Sequence, residues 1–244
     1  MSARRTLATA LRVLRQLRHD PRTVLLLLAV PCVLQALVHE LFRDRPQVFQ
    51  SVGVPLLGLF PFVAMFIVTS ITMLRERTSG TLERLLTTPL GRGDLLAGYG
   101  LAFALVAAVQ AGLVSAVAFG LLGLEADDRL AVAALAVANA VLGMALGLFA
   151  SAFARTEFQA VQFMPAFVLP QILLCGLLVP REQMAGWLQG LAAALPLTYA
   201  YDALDRLGSG AALGARFWAD VGVVAGATVL ALALGAATLR RRTP

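Results

Sequence analysis

VGVPLLGLFPFVAMFIVTSITML, residues 52–74, carries no charged side chain, and RERTSGTLERLLTTPL, residues 75–90, follows it directly. The first stretch is long enough to cross a hydrocarbon core, which takes about 20 mostly apolar residues. The second is charged at intervals and ends near a proline, so it reads as a loop outside the bilayer. The same test along the chain gives five more windows, at 23–41, 95–122, 130–154, 158–179 and 218–239. The expectation is an all-α membrane protein with six transmembrane helices. Composition agrees: of 244 residues 59% are hydrophobic and 14% charged, against about a quarter charged in soluble domains. The longest gap between windows, 180–217, is too short for a soluble core of its own. One six-span domain over 23–244 follows, preceded by a short segment, 1–22.

Charge sets the orientation, because basic residues of short loops stay on the cytoplasmic side. All 20 basic residues are Arg. With the N-terminus inside, only Arg43, Arg45, Arg129, Arg181, Arg206 and Arg216 fall on outer segments, leaving 14 inside. That predicts a multi-pass plasma-membrane protein with both termini cytoplasmic. The basic charge then reads as topology and contact with anionic lipid headgroups, and nucleic-acid binding is not expected.

Residues 4–18 form an amphipathic helix on paper, with Leu7, Ala10, Leu11, Val13, Leu14 and Leu17 on one arc and Arg4, Arg5, Arg12 and Arg15 on another. Such a helix lies flat on the inner leaflet, and Asp20-Pro21 turns the chain into the first span. A solvated basic tail is the other reading. Small residues recur every four positions at Ala108, Gly112, Ala116 and Gly120, at Gly143 and Gly147, and at Gly222 and Gly226, a spacing that lets helices approach closely within a bundle or between subunits. Pro31, Pro55, Pro61, Pro165 and Pro170 sit inside windows, and the fifth window holds two of them. Gln110, Asn139, Gln162 and Gln171 are polar at depth, where such groups line a path or bond across helices. No Asp, Glu, Lys or His lies at mid-depth, which removes the usual basis of ion-coupled transport. Cys32 and Cys175 lack the spacing of a metal or redox pair, so no metal or bound cofactor is expected. Between 180 and 217, Trp187, Leu188, Leu191 and Leu195 precede Pro196 and predict a short external or re-entrant helical hairpin.

In the loop, Leu82, Leu85 and Leu86 share a helical face flanked by charges, and Pro89 ends the helix. Periodicity alone leaves two readings open, a helix folded onto the membrane surface or one that docks a partner protein. The segment resembles the loop of type-2 ATP-binding-cassette exporter permeases: Arg75-Glu76-Arg77, then Ser79-Gly80-Thr81-Leu82-Glu83, then Leu85-Leu86 before Pro89, continuing through Asp94, Leu95, Leu96 and Gly98. The likeness extends to Asp20-Pro21-Arg22, to Ala154-Arg155-Thr156-Glu157, and to Gly176–Pro180 with Trp187 and Leu195-Pro196-Leu197-Thr198-Tyr199. It departs at Tyr99, where the family often has Lys, and at Asp205-Arg206, where Arg is expected one place earlier. The resemblance implies a coupling helix between spans two and three that seats on an ATPase subunit. Arg75, Glu76, Arg77, Gly80, Thr81, Leu82, Glu83, Arg84, Leu85 and Pro89 would serve it, with Arg155 and Glu157 as a second cytoplasmic contact. Overall composition is similar to the daunorubicin-resistance permease branch.

A P-loop needs a Lys at the phosphates, and the chain has none. The chain is therefore not itself an ATPase, and ATP and Mg would be used by a separate subunit. Two membrane domains, identical or related, would form the path for a hydrophobic or amphiphilic drug, antibiotic or lipid. A lipid-modifying enzyme would need converging acids, His or nucleophiles, yet His19 and His39 fall on opposite sides of the expected membrane. A non-transporting sensor or assembly subunit that anchors an ATPase is the alternative.

Overall fold

The computed structural model describes residues 3–79 and 91–238. The expected coupling segment 80–90, which includes Gly80, Thr81, Leu82, Glu83, Arg84, Leu85 and Pro89, lies outside the described residues. The elements are α1 Ala3–Arg18, α2 Pro21–Leu41, α3 Pro46–Thr78, α4 Arg92–Gly120, α5 Arg129–Ala150, α6 Glu157–Phe163, a π-helical turn Met164–Val168 and α7 Leu169–Leu174. A 3₁₀ turn Arg181–Gln183, α8 Gly186–Ala193, α9 Pro196–Gly208 and α10 Ala215–Thr238 complete the chain.

Among the described residues five helices, α2, α3, α4, α5 and α10, are long and apolar enough to cross a membrane, and the expectation of six is corrected accordingly. The fifth window fails for a local reason. Pro165 has no N–H to give the Val161 carbonyl, and the ladder shifts register: Met164 N–H bonds Val161 O, and Leu169 N–H bonds Met164 O five residues back. Gly176, at φ +113°, then turns the chain where a side chain is strained. A Cβ there would also lie 2.9 Å from the Tyr201 ring, so the window ends as short helical pieces and irregular backbone.

Of the crossing helices α3 is the most enclosed, with 67% of its apolar window buried against 17% for α2 and for α10. Its closest neighbour is α5. A Cβ on Gly143 would stand 2.2 Å from the Phe62 carbonyl oxygen, and one on Gly147 2.4 Å from that of Phe66. Backbone therefore meets backbone, and the Thr69 hydroxyl donates to Met65 O at 2.7 Å while reaching Met144 O across the contact at 3.2 Å. In lipid, close packing of this kind is a main source of attraction between helices. A Cβ on Gly112, Gly120, Gly222 or Gly226 would meet nothing within 4 Å outside its own stretch of helix among the described residues.

Asp20 caps α2, accepting from Thr23 N at 3.2 Å and the Thr23 hydroxyl at 2.6 Å, with Pro21 at the first helical position. These bonds hold the Asp20 carboxyl below its ordinary range. Helix α1 packs on the bundle through Ala10 and Val13, with Leu14 and Leu17 partly buried, while Leu7 and Leu11 stay exposed. Near the end of α10, Gly235 lies beside Leu96 and the backbone of Phe149, at the end of the bundle where α1 sits.

Candidate functional site

Among the described residues the charged ties between helices gather at two ends of the bundle. At the first, α3 ends and leads into residues 80–90, and α4 begins just beyond. Arg75 holds Glu157 by two parallel bonds, Nε to Oε1 at 2.8 Å and a terminal guanidinium N–H to Oε2 at 3.0 Å. The pair joins the end of α3 to the start of α6 and keeps the Glu157 carboxyl below its ordinary range. Both side chains are more than half exposed, so the pair orients the two ends more than it stabilises them. Thr156 caps α6 by accepting from Gln159 N, and the Gln159 side chain reaches back to Arg155 N at 2.8 Å, which fixes this inner link. Arg155 and Glu157 thus flank one capped turn.

Glu76 faces the other way. It is 7% exposed, and its Oε1 accepts from Arg12 at 3.4 Å and from Gln16 at 3.2 Å, both on α1. Arg12 also donates to the Tyr99 hydroxyl of α4 and lies over the Tyr99 ring, 5.6 Å from its centre. Tyr99 is fully buried. Gly98 sets the depth of this contact, since a Cβ there would come within 2.5 Å of Thr9 Cβ and 2.9 Å of Thr6 O. The helical wheel groups Arg12 with Arg4, Arg5 and Arg15 on the arc away from the apolar residues; in the fold it reaches inward to Glu76 and Tyr99. Tyr99 marks the place: the cation facing Glu76 comes from α1. Arg77, on the same stem, is partly buried, and its Nε has no partner among the described residues.

Three of the four amides expected at depth are buried, and two of these serve backbone. Gln110 donates to Leu27 O at 2.7 Å, the carbonyl that Pro31 leaves without an intrahelical donor. Gln171 donates to Phe167 O at 3.0 Å. Asn139 is buried against Gly58 and borders a cavity of about 10 Å³ with Pro55, Cys175 and Tyr201. Gln162, on the interrupted run, is exposed. The side-chain oxygen of each buried amide has no bond to the described residues.

At the opposite end, sequence reasoning missed a second cluster. Asp202 of α9 is bonded by Arg181 and stands 3.9 Å from Arg216, and Arg206 is 3.9 Å from Asp220 of α10. Burial pushes the Asp202 carboxyl up to about 6 despite the guanidinium of Arg181. In this register Arg206 faces Asp220, which places the pair at which the family pattern departed. The only signal in the sequence was the density of opposite charges over 181–220. Around them, Tyr199 donates to Ala193 O at 2.7 Å and ties α9 to α8.

Among the described residues no group of His, Cys, Asp and Glu is placed to hold a metal ion. The described geometry is that of a membrane bundle whose charged ties lie at its ends, with no converging acid, base and nucleophile.

The family model for the ABC-2 type transporter matches residues 5–206. The probable multidrug ABC transporter permease YbhR of Escherichia coli K12 is 31% identical over 155 residues, 62% of this chain and 42% of that protein. The linearmycin resistance permease protein LnrN of Bacillus subtilis 168 is 26% identical over 169 residues, 69% of this chain and 44% of its own. ABC transporter G family member 20 of Dictyostelium discoideum is 26% identical over 147 residues, covering 60% of this chain and 20% of its own. The chain thus spans less than half the length of the curated relatives it matches. The matched residues run from α1 through residues 80–90 into α9, and the chain belongs to the ABC-2 type transporter family, as a multi-pass membrane protein.

Proposed function

We propose that this chain is the membrane subunit of an ATP-driven exporter, working with a separate ATPase and a second permease copy or a related permease. Residues 80–90 would seat on the ATPase, with Arg155 and Glu157 beside them. ATP binding and hydrolysis would move that contact and tilt the bundles, opening a path outward between two subunits. The observation that carries this reading is the convergence of α1, α3, α4 and α6 on the stems of that loop, through Arg75–Glu157 and Glu76–Arg12. A push applied there reaches four elements at once.

The end bearing α1 is cytoplasmic in this proposal, since most of the Arg residues then lie inside, in the plasma membrane. Cargo is hydrophobic or amphiphilic, a drug, antibiotic or lipid, in keeping with the multidrug and linearmycin permeases among the relatives. Those relatives' names do not lead to the daunorubicin branch, which rests on composition alone. Among the amides, exposed Gln162 is the best placed to border a path; Gln110, Asn139 and Gln171 would reach one only after rearrangement.

The test is ATP hydrolysis by the permease with its co-purifying ATPase in lipid, comparing wild type with Leu82→Ala and Glu83→Ala and adding hydrophobic drugs. Drug-stimulated hydrolysis lost in the loop variants supports coupled export. Association without stimulation, and without transport, points to the sensor alternative, and no association refutes both.

A further inference from the structure

We infer that α1 is a clamp, with Arg12 as its positioning residue, that holds the two stems of the loop together so that a push on residues 80–90 moves α3 and α4 as one lever. The inference rests on the coupled-exporter reading and adds a role for residues that lie outside the loop.

Residues 80–90 connect two separate helices in the sequence. α3 ends at Thr78 and α4 starts at Arg92. A force on a loop so attached is useful only if the stems move together, because stems that part absorb it locally. Helix α1 is bonded to both. To the α3 stem it gives Arg12 and Gln16, which share the carboxylate oxygen of Glu76. To the α4 stem it gives the Arg12 bond and ring contact at Tyr99, and the close approach of Thr9 to Gly98. Arg12 is common to both attachments, bonding Glu76 of α3 and Tyr99 of α4 through one guanidinium.

The node is built to be position-sensitive. Glu76 and Tyr99 are buried, and in a medium of low polarity a displaced partner leaves an uncompensated charge instead of a hydrated one. An exposed ion pair, such as Arg75–Glu157, exchanges its partner for water at little cost. The guanidinium suits the task because its planar fork addresses a carboxylate and a hydroxyl at once while stacking on a ring.

The experiment uses the full chain with its co-purifying ATPase in nanodiscs, with Cys32→Ala and Cys175→Ala. Spin labels at Thr78→Cys and Leu101→Cys report the spacing of the stems, and a second pair at Leu121→Cys and Leu213→Cys reports the far end of the bundle. Wild type is expected to keep one narrow stem distance with and without ATP while the far pair shifts. Arg12→Met is expected to keep the nucleotide-free distance but to broaden it on ATP, with loss of the far shift while hydrolysis continues. Arg12→Lys is expected to restore part of the far shift, which a loss of folding would not allow. Glu76→Gln, which keeps shape and amide bonding, is expected to behave like Arg12→Met.

If both Arg12→Met and Glu76→Gln keep the wild-type stem distance and far shift on ATP, the clamp is overturned while coupling stands. If wild type shows no ATP-dependent shift at the far pair, or no ATPase co-purifies, the exporter reading fails and the clamp fails with it.

Discussion

Gln110→Leu, made with and without Pro31→Ala, isolates the bond between the third crossing segment's amide and α2. In the fold Gln110 donates at 2.7 Å to Leu27 O, in a fully buried position. Pro31 is the residue whose N–H would otherwise have taken that carbonyl, so Gln110→Leu strands it. An unpaired buried carbonyl costs about 1–3 kcal/mol, and side-chain bonds between membrane helices are worth about 0.6 kcal/mol on average and up to about 1.7. Against this, the Gln110 oxygen is itself unbonded within the chain, and leucine removes it. The net expectation is a loss of about 1 kcal/mol. In Pro31→Ala the restored N–H returns to Leu27 O, and the same Gln110→Leu change becomes neutral or slightly stabilising. The assay is equilibrium unfolding in mixed micelles, read as a double-mutant cycle. A cycle that closes additively, with Gln110→Leu equally costly in both backgrounds, refutes the assignment of Gln110 to the proline's carbonyl.

Gly143→Leu and Gly147→Leu force side chains onto the backbone of α3 and are expected to cost more than the about 1–3 kcal/mol typical of overpacking. Gly222→Leu and Gly226→Leu, where an added Cβ has open space around it, should leave the melting temperature of the single subunit unchanged. Glu157→Gln removes an exposed pair and should cost under about 1 kcal/mol at neutral pH. Because Arg75 depresses the Glu157 carboxyl, that contribution is present above the ordinary carboxylate range and vanishes as pH falls through the lowered value, so the two melting curves converge in acid. Asp202 has the opposite sign. Its carboxyl is raised from 3.8 to about 6, the fold binds its proton more readily than the unfolded chain, and wild type should gain stability relative to Asp202→Asn as pH falls through about 6. The full gain is about 3 kcal/mol at about 1.36 kcal/mol per pH unit, and a pH-independent difference between the two proteins would refute the burial of that charge.

The long helices were legible because hydropathy over a span-length window depends on composition, and 52–74, 95–122 and 130–154 are nearly uniform in it. The break at 164–176 was not legible from the same quantity. Pro165 and Pro170 announced a kink, but hydropathy does not register a shifted hydrogen-bond ladder or a glycine at positive φ. The small-residue stripes were legible as a pattern and ambiguous as contacts, since Gly143 and Gly222 look alike until a neighbour is known. Arg12 is the instructive miss. A wheel sorts residues by face and carries no information on what each face meets, and a charge in the middle of the polar arc reaches inward when a buried carboxylate and a phenol stand within its length. The departure at Tyr99 was the available signal, a position where a cation was expected from α4 and came instead from α1.

Where the polar groups lie also constrains how such a bundle is able to move. Gln35, Gln110 and Gln171 each donate to a main-chain carbonyl, and Thr69 donates along α3 while reaching a carbonyl of α5. The Thr69 bond to Met144 O, with the backbone contact at Gly143 and Gly147, makes sliding of α3 past α5 costly, because it strands a polar group in a dry interior. The charged ties are of another kind and lie at the two ends, around Glu76 and around Asp202. Exposed members such as Arg75 and Arg216 are able to trade partners with water at little cost. Rigid-body tilting of a locked α3–α5 core, with rearrangement confined to the ends, is therefore the motion this distribution favours. It predicts that a disulfide engineered across α3 and α5 near Gly147 leaves ATP-driven transport intact, whereas one joining α9 to α10 beside Asp202 and Arg216 abolishes it. Loss of transport with the first, or none with the second, would place the moving joint inside the bundle instead.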